Sequence, residues 1–130
     1  MTERAFAVPD VVTQPFWDGI AEGVLRLQRC AACGRHVFYP RAVCPFCMAA
    51  ELRWEEASGR GAVHSFTVVH RAPAGYRDEV PYVVALVDLD EGVRMMTRLV
   101  DVAPADVRVG LAVEVAIRGE PRLPYFRPRS

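Results

Sequence analysis

The residues with the plainest chemistry are Cys30, Cys33, Cys44 and Cys47, which are all the cysteines the chain has. They form two C-x-x-C pairs separated by ten residues. Two residues between cysteines let one tight turn aim both sulfurs at a point, so each pair is a bidentate clamp. Two clamps supply the four thiolates of a closed tetrahedral zinc shell. Gly34 suits the left-handed position that follows such a knuckle, and Pro45 stiffens the second turn. A closed four-sulfur shell leaves no open position for water or substrate. The spacing therefore predicts one structural zinc, whose task is to fold a segment too short to bury a core. Two other uses of these cysteines stand beside this one. A pair of disulfides would suit a secreted chain, and a C-x-x-C pair would suit a redox centre at a strand-to-helix turn. His36, between the pairs, reads as a surface side chain, since four thiolates already complete the shell.

Nothing else in the chain assembles into a catalytic motif, and no catalytic residue is assigned. There is no paired-carboxylate motif, no glycine-rich phosphate loop and no nucleophile elbow. His64 and His70 fall on one face of one expected strand and read as packed or surface residues, with Ser65 beside them as the only serine that a base might serve. The 130 residues carry zero net charge, with 16 basic and 16 acidic side chains. No global field would draw in nucleic acid or an anionic membrane. Every basic residue is arginine, so any anion site must be built from guanidinium groups or backbone N–H. The first ten residues hold no apolar leader core, and the run Tyr82 to Leu89 is too short to span a bilayer. The chain is therefore expected in the cytoplasm, with reduced cysteines and no membrane.

Positioning these sulfurs requires a small set of elements, and the pattern is mainly β. Residues 1–24 read as a loose arm followed by a short helix, with Thr13 as N-cap, Pro15 in the first turn, Asp18 near the positive end and Gly23 as the stop. Phe16, Trp17 and Ile20 form its apolar stripe, which either packs on this chain's own core or serves as a foot for a partner. Residues 25–57 read as a rubredoxin-like zinc ribbon of three short strands, at Leu25 to Gln28, Val37-Phe38-Tyr39 and Leu52 to Glu55. Ser58-Gly-Arg-Gly61 reads as a hinge. Residues 58–130 then show five strands, Ala62–His70, Tyr82–Leu89, Val93–Val100, Ala112–Arg118 and Leu123–Arg127, with a helical turn at Pro104. Five strands with a small helix before the fourth fit an OB-fold barrel, with an open sheet as the alternative. The connection from Arg71 to Pro81 is longer than a hairpin needs, a feature shared by functional and merely mobile loops.

Four phrases together resemble one family: Gln28-Arg-Cys-Ala-Ala-Cys-Gly34, Cys44-Pro-Phe-Cys47, Gly59 through Pro73, and Pro81 through Gly92. It is the zinc-ribbon/OB-fold family catalogued as domain of unknown function thirty-five, and the similarity runs from about Pro15 to Pro128. One departure is Met48, where a glycine often follows the second knuckle. The resemblance implies an accessory subunit of acyl-CoA enzymes, with a thiolase-like or hydratase-type partner carrying the catalytic residues. It also implies that the chain supports the partner and passes CoA thioesters between sites. On that reading Phe16, Trp17, Ile20, Phe38 and Tyr39 are the expected interface. Arg71 and Arg77 are the candidates for CoA phosphates, unless they pair with Asp78 and Glu79 beside them. Single-stranded nucleic-acid binding is the alternative, since ribbons and OB barrels both serve it. That alternative needs a clustered basic groove, and Arg94 and Arg98 are the only close arginine pair on a barrel strand.

Overall fold

The computed structural model describes residues 10–72, 75, 77–119 and 122–129. Most of the expected N-terminal arm (residues 1–9) lies outside them, as do Pro73, Ala74 and Tyr76 of the long loop. The helix α1 spans Gln14–Glu22 and stops where Gly23 turns left-handed at φ 87°. The Gly23 N–H then donates to the Ile20 carbonyl at 3.1 Å, and the Val24 N–H to that of Gly19 at 2.7 Å. Thr13 occupies the N-cap position without capping through its side chain. Its hydroxyl is taken by Asp10, accepting from the Asp10 N–H at 3.0 Å and donating to Asp10 Oδ1 at 3.1 Å. Asp18 sits beyond the first turn and accepts from Gln14 Nε2 at 2.7 Å, so it is not the dipole partner expected of it.

Two sheets follow. Strands β1 (Arg26–Cys30), β2 (His36–Val37) and β3 (Leu52–Glu56) form an antiparallel ribbon in the order β2-β1-β3. Strands β4 (Arg60–Val69), β5 (Tyr82–Leu89), β6 (Arg94–Leu99), β7 (Ala112–Arg118) and β8 (Leu123–Pro128) close into a barrel in the order β4-β5-β6-β8-β7. The ring is completed by β4 against β7, and its one parallel contact joins β6 to β8 at Leu99 and Phe126. That order is the OB-fold arrangement, and it settles the choice against an open sheet. Alternation along β5 buries Val83, Ala85, Val87 and Leu89 inside. Met95, Leu99, Val113 and Phe126 meet them there. Phe16 and Ile20 of the helix and Leu25 and Leu27 beside the ribbon belong to the same continuous core.

Two sequence expectations change here. Ser58 to Gly61 is not a hinge. Gly59 is at φ 75° with Val115 Cγ1 only 2.6 Å from where a Cβ would stand, and a Cβ on Gly61 would lie 2.4 Å from the Asp88 carbonyl oxygen. These glycines let β4 press against β5 and β7, and their role is close approach rather than freedom of motion. Strand β4 is also bulged. Val63 pairs with Val87 while Ser65 pairs with Leu86, leaving His64 as the extra residue. A bulge reverses the alternation beyond it, so Val68 packs on the same core as Val63. His64 and His70 therefore do not share a face of one regular strand, and His70 lies past the end of β4.

Gly61→Ala should destabilise the protein by about 3 kcal/mol, because the new methyl meets backbone that cannot step aside. A chemical-denaturation midpoint within experimental error of the parent's would show that β4 and β5 do not approach as described.

Candidate metal centre and its surroundings

The ribbon brings all four sulfurs within 4.8 Å of one another. Cys30 and Cys44 are buried while Cys33 and Cys47 are exposed, and all four thiols are free. The two knuckles repeat one hydrogen-bond pattern. In the first, the Gly34 N–H donates to the Cys30 carbonyl at 2.8 Å and the Cys30 N–H to that of Arg35 at 2.9 Å. In the second, Met48 donates to Cys44 at 2.9 Å and Cys44 to Ala49 at 2.8 Å. Gly34 and Met48 occupy the same left-handed position, at φ 79° and φ 67°. The departure seen in the sequence thus changes the residue and keeps the turn. A side chain held there is strained by about 1–2 kcal/mol.

The closest sulfur pairs run between the knuckles, Cys30 with Cys47 at 3.6 Å and Cys33 with Cys44 at 3.7 Å. A tetrahedron with metal–sulfur bonds of about 2.3 Å has edges of about 3.8 Å, so the cluster fits a thiolate-bound ion of zinc's size. Backbone N–H groups prepare the sulfurs as anions. The Cys33 N–H reaches the Cys30 sulfur and the Phe46 N–H reaches that of Cys44, each at 3.4 Å. The Cys33 N–H holds the Cys30 thiol below its ordinary range against the effect of burial. Burial resists ionisation of Cys44, yet the N–H groups of Cys47 and Phe46 prevail and bring it down to about 7. At Cys47 the Ala49 N–H favours the thiolate, but the Cys30 sulfur, burial and the remaining sulfurs push it up to about 12. Crowded thiolates repel one another, and a dication at their centre removes that repulsion. A bound ion would serve here by fixing the ribbon's shape, with no position open to substrate.

The other expected site residues are not gathered around the sulfurs. His36 is half-buried against Glu55 through Nε2, so it is neither a ligand nor a free surface group. His64 Nδ1 stands 3.3 Å from Asp88 and 3.2 Å from Arg94 Nη2, in a solvent-exposed cluster closed by the Arg94–Asp88 pair at 2.6 Å. Arg94 beside it holds the Asp88 carboxyl below the usual range. Arg71 and Arg77 are exposed, and among the described residues neither makes an ion pair. Glu79 pairs instead with Arg98 at 3.0 Å, whose guanidinium lies 4.5 Å over the Tyr82 ring and ties the long loop to β6.

Four of the five residues expected at an interface, Phe16, Trp17, Phe38 and Tyr39, come together as an aromatic knot between helix and ribbon. The Phe16 ring lies 5.0 Å from Trp17, 5.8 Å from Phe38 and 6.1 Å from Tyr39. Phe16 and Ile20 are buried in this chain's own core, which corrects their place in the expected contact surface. Trp17 and Phe38 are half-buried and Tyr39 is exposed. Strand β2 ends at Val37 because Phe38 and Tyr39 turn away to join this knot. Gln28 escaped the sequence reading, since a polar residue alternating with leucines is expected outside. It is buried, donating through Nε2 to the Arg41 carbonyl and accepting from the Arg41 N–H through Oε1, both at 2.8 Å.

A four-cysteine ribbon fused through a shared core to a closed five-stranded barrel defines a ribbon-plus-barrel protein. Residues 17–53 match the ChsH2 rubredoxin-like zinc ribbon domain, and residues 54–118 match the ChsH2 C-terminal OB-fold domain. The chain belongs to this ChsH2, or DUF35, family. It is 40% identical over 91 residues to a DUF35 domain-containing scaffold protein of Methanocaldococcus jannaschii, covering 69% of this chain and 64% of that one. It is also 40% identical over 117 residues to a probable enoyl-CoA hydratase alpha subunit of Thermomonospora curvata, covering 87% of this chain. The match spans only 36% of that longer protein. Among solved structures it is similar to the Ltp2-ChsH2(DUF35) aldolase, with a TM-score of 0.85 and 36% identity over 95% of this chain and 98% of that one.

Cys44→Ser should lower bound metal and the unfolding midpoint together, because metal binding and ribbon folding are one equilibrium. Full metal content in that variant would remove Cys44 from the shell. Met48→Gly relieves the strained left-handed position but gives the unfolded chain more freedom. It should leave metal content unchanged and raise stability by about 0.5–1 kcal/mol. A loss of stability would mean that the Met48 side chain contributes more than its backbone strain removes.

Proposed function

We propose that this chain is a non-catalytic accessory subunit of an acyl-CoA enzyme, holding one structural zinc in its ribbon and supporting a thiolase-like or hydratase-type catalytic partner. The observation that carries the reading is likeness along almost the whole chain, at 36% identity, to the ChsH2 component named in an aldolase. The hydratase subunit and scaffold relatives point the same way. The physical reading agrees with it. A four-sulfur metal shell would be closed to substrate, and in the exposed His64–Asp88–Arg94 cluster His64 Nδ1 and the Asp88 carboxylate are engaged with Arg94. Arg71 and Arg77, on the loop latched by Arg98, are the groups we assign to CoA phosphates. No helix among the described residues is long and apolar enough to cross a membrane, and reduced thiolate ligands suit the cytoplasm.

The test is expression of the chain alone and together with the thiolase-like or hydratase-type subunit encoded nearest to it. Alone, it should contain about one zinc per chain and turn over no CoA thioester. With its partner it should co-purify in fixed ratio and raise the partner's activity or solubility. Hydrolysis, hydration or acyl transfer by the chain alone would make it an enzyme and overturn the reading.

A further inference from the structure

The surface most in need of a partner lies beside the second knuckle. A groove of about 560 Å³ runs between residues 10–13 and the loop 39–48, walled by Val12, Tyr39, Pro40, Val43 and Met48. Three of these side chains are exposed although apolar, Tyr39 at 42%, Val43 at 39% and Met48 at 72%. Val11, at 93%, adjoins Val12 in the chain. Among the described residues two charged side chains line the groove, Asp10 and Arg41. They are not equivalent. The Asp10 carboxyl accepts the Thr13 N–H at 2.8 Å and the Thr13 hydroxyl at 3.1 Å, and the Thr13 N–H holds it below the usual carboxylate range. Arg41 is exposed and makes no ion pair among the described residues. Yet its backbone is gripped on both its N–H and its carbonyl by the buried Gln28 amide. A long side chain rooted on so fixed a base loses less freedom when it binds, which is how an arginine becomes an interface anchor.

We propose that this groove is the seat for the partner subunit, and that it receives an apolar segment of the partner carrying one carboxylate, which pairs with Arg41. The proposal rests on the accessory-subunit reading and locates its contact surface. Charge selects the occupant. The groove offers a single unpaired guanidinium among apolar walls, which complements one carboxylate in an apolar polypeptide. The several phosphate charges of a CoA or a nucleic acid would call for more than one cation.

The experiment uses the full chain with its co-purifying subunit, comparing the dissociation constant of the parent complex with those of Arg41→Ala, Arg41→Glu, Val43→Asp and Met96→Asp. Met96 is 70% exposed on β6, away from the groove, and serves as the control. Zinc content and the unfolding midpoint of each variant establish that it is folded. Arg41→Ala should weaken the complex about thirtyfold, as an anchor worth about 2 kcal/mol would. Arg41→Glu and Val43→Asp should weaken it further, and Met96→Asp should leave it unchanged. Folded Arg41→Glu and Val43→Asp variants that bind like the parent would overturn the groove while leaving the accessory-subunit reading intact. A parent that binds no candidate subunit removes both. An Arg41→Ala defect seen only when free CoA is added would assign the guanidinium to phosphate and end the carboxylate proposal.

Discussion

Four cysteine sulfurs gathered around one point stand at the centre of a ribbon that has almost no apolar core of its own. The buried residues it keeps to itself are Cys30, Val37 and Cys44, with Ala49 and Leu52 packed partly against them. Such a cluster cannot offset the conformational entropy of ordering some thirty residues, each worth about 1–2 kcal/mol for its backbone. The matched knuckles, with their N–H groups turned toward sulfur, suit an ion that would close the shell. The Ala49 N–H favours the Cys47 thiolate, but the neighbouring sulfurs and burial push that thiol up to about 12, which a dication at the centre would offset.

The ribbon is nevertheless not a free-standing module. Its first strand is preceded by Leu25 and contains Leu27, and both reach the core that fills the barrel. The Ala57 N–H donates to the Leu25 carbonyl at 2.8 Å where the chain leaves the ribbon for β4. Helix α1 completes the arrangement by sending Phe16 and Ile20 into that core and stacking its aromatic knot against Phe38 and Tyr39. Ribbon and barrel are therefore coupled through packed side chains rather than through a linker. Gly59 and Gly61, where the chain passes between the halves, lie too close to Val115 and Asp88 to admit a Cβ.

This coupling fits the role proposed above, that of a supporting subunit. A subunit that supports another must present a surface that does not rearrange. Gln28 joins the ribbon's central strand to the backbone of Arg41, so the loop between the cysteine pairs is set by the ribbon's register. On the barrel side, Arg98 does the equivalent for the long loop by binding Glu79 and covering Tyr82. Both loops are thus held by one side chain from a neighbouring strand.

Local signals in the chain were enough to read the metal ligands, the ribbon-then-barrel order and most strand positions. Cysteine spacing is a property of one turn, strand alternation a property of a few residues, and the run Tyr82–Leu89 carries its own burial pattern. The helix stripe of Phe16, Trp17 and Ile20 was equally visible, but a stripe says only that something covers it. Tertiary packing decided that this chain's own core covers Phe16 and Ile20. It likewise turned Gln28 inward to Arg41, paired His36 with Glu55, drew Glu79 to Arg98 and placed the bulge at His64. Each of these partners lies 13 or more residues away in the chain, or on another strand, where no turn geometry or period reaches. The four-cysteine cluster was legible because each pair is set by one local turn; the surface around it was not, because its shape is set by contacts that exist only once the chain has folded.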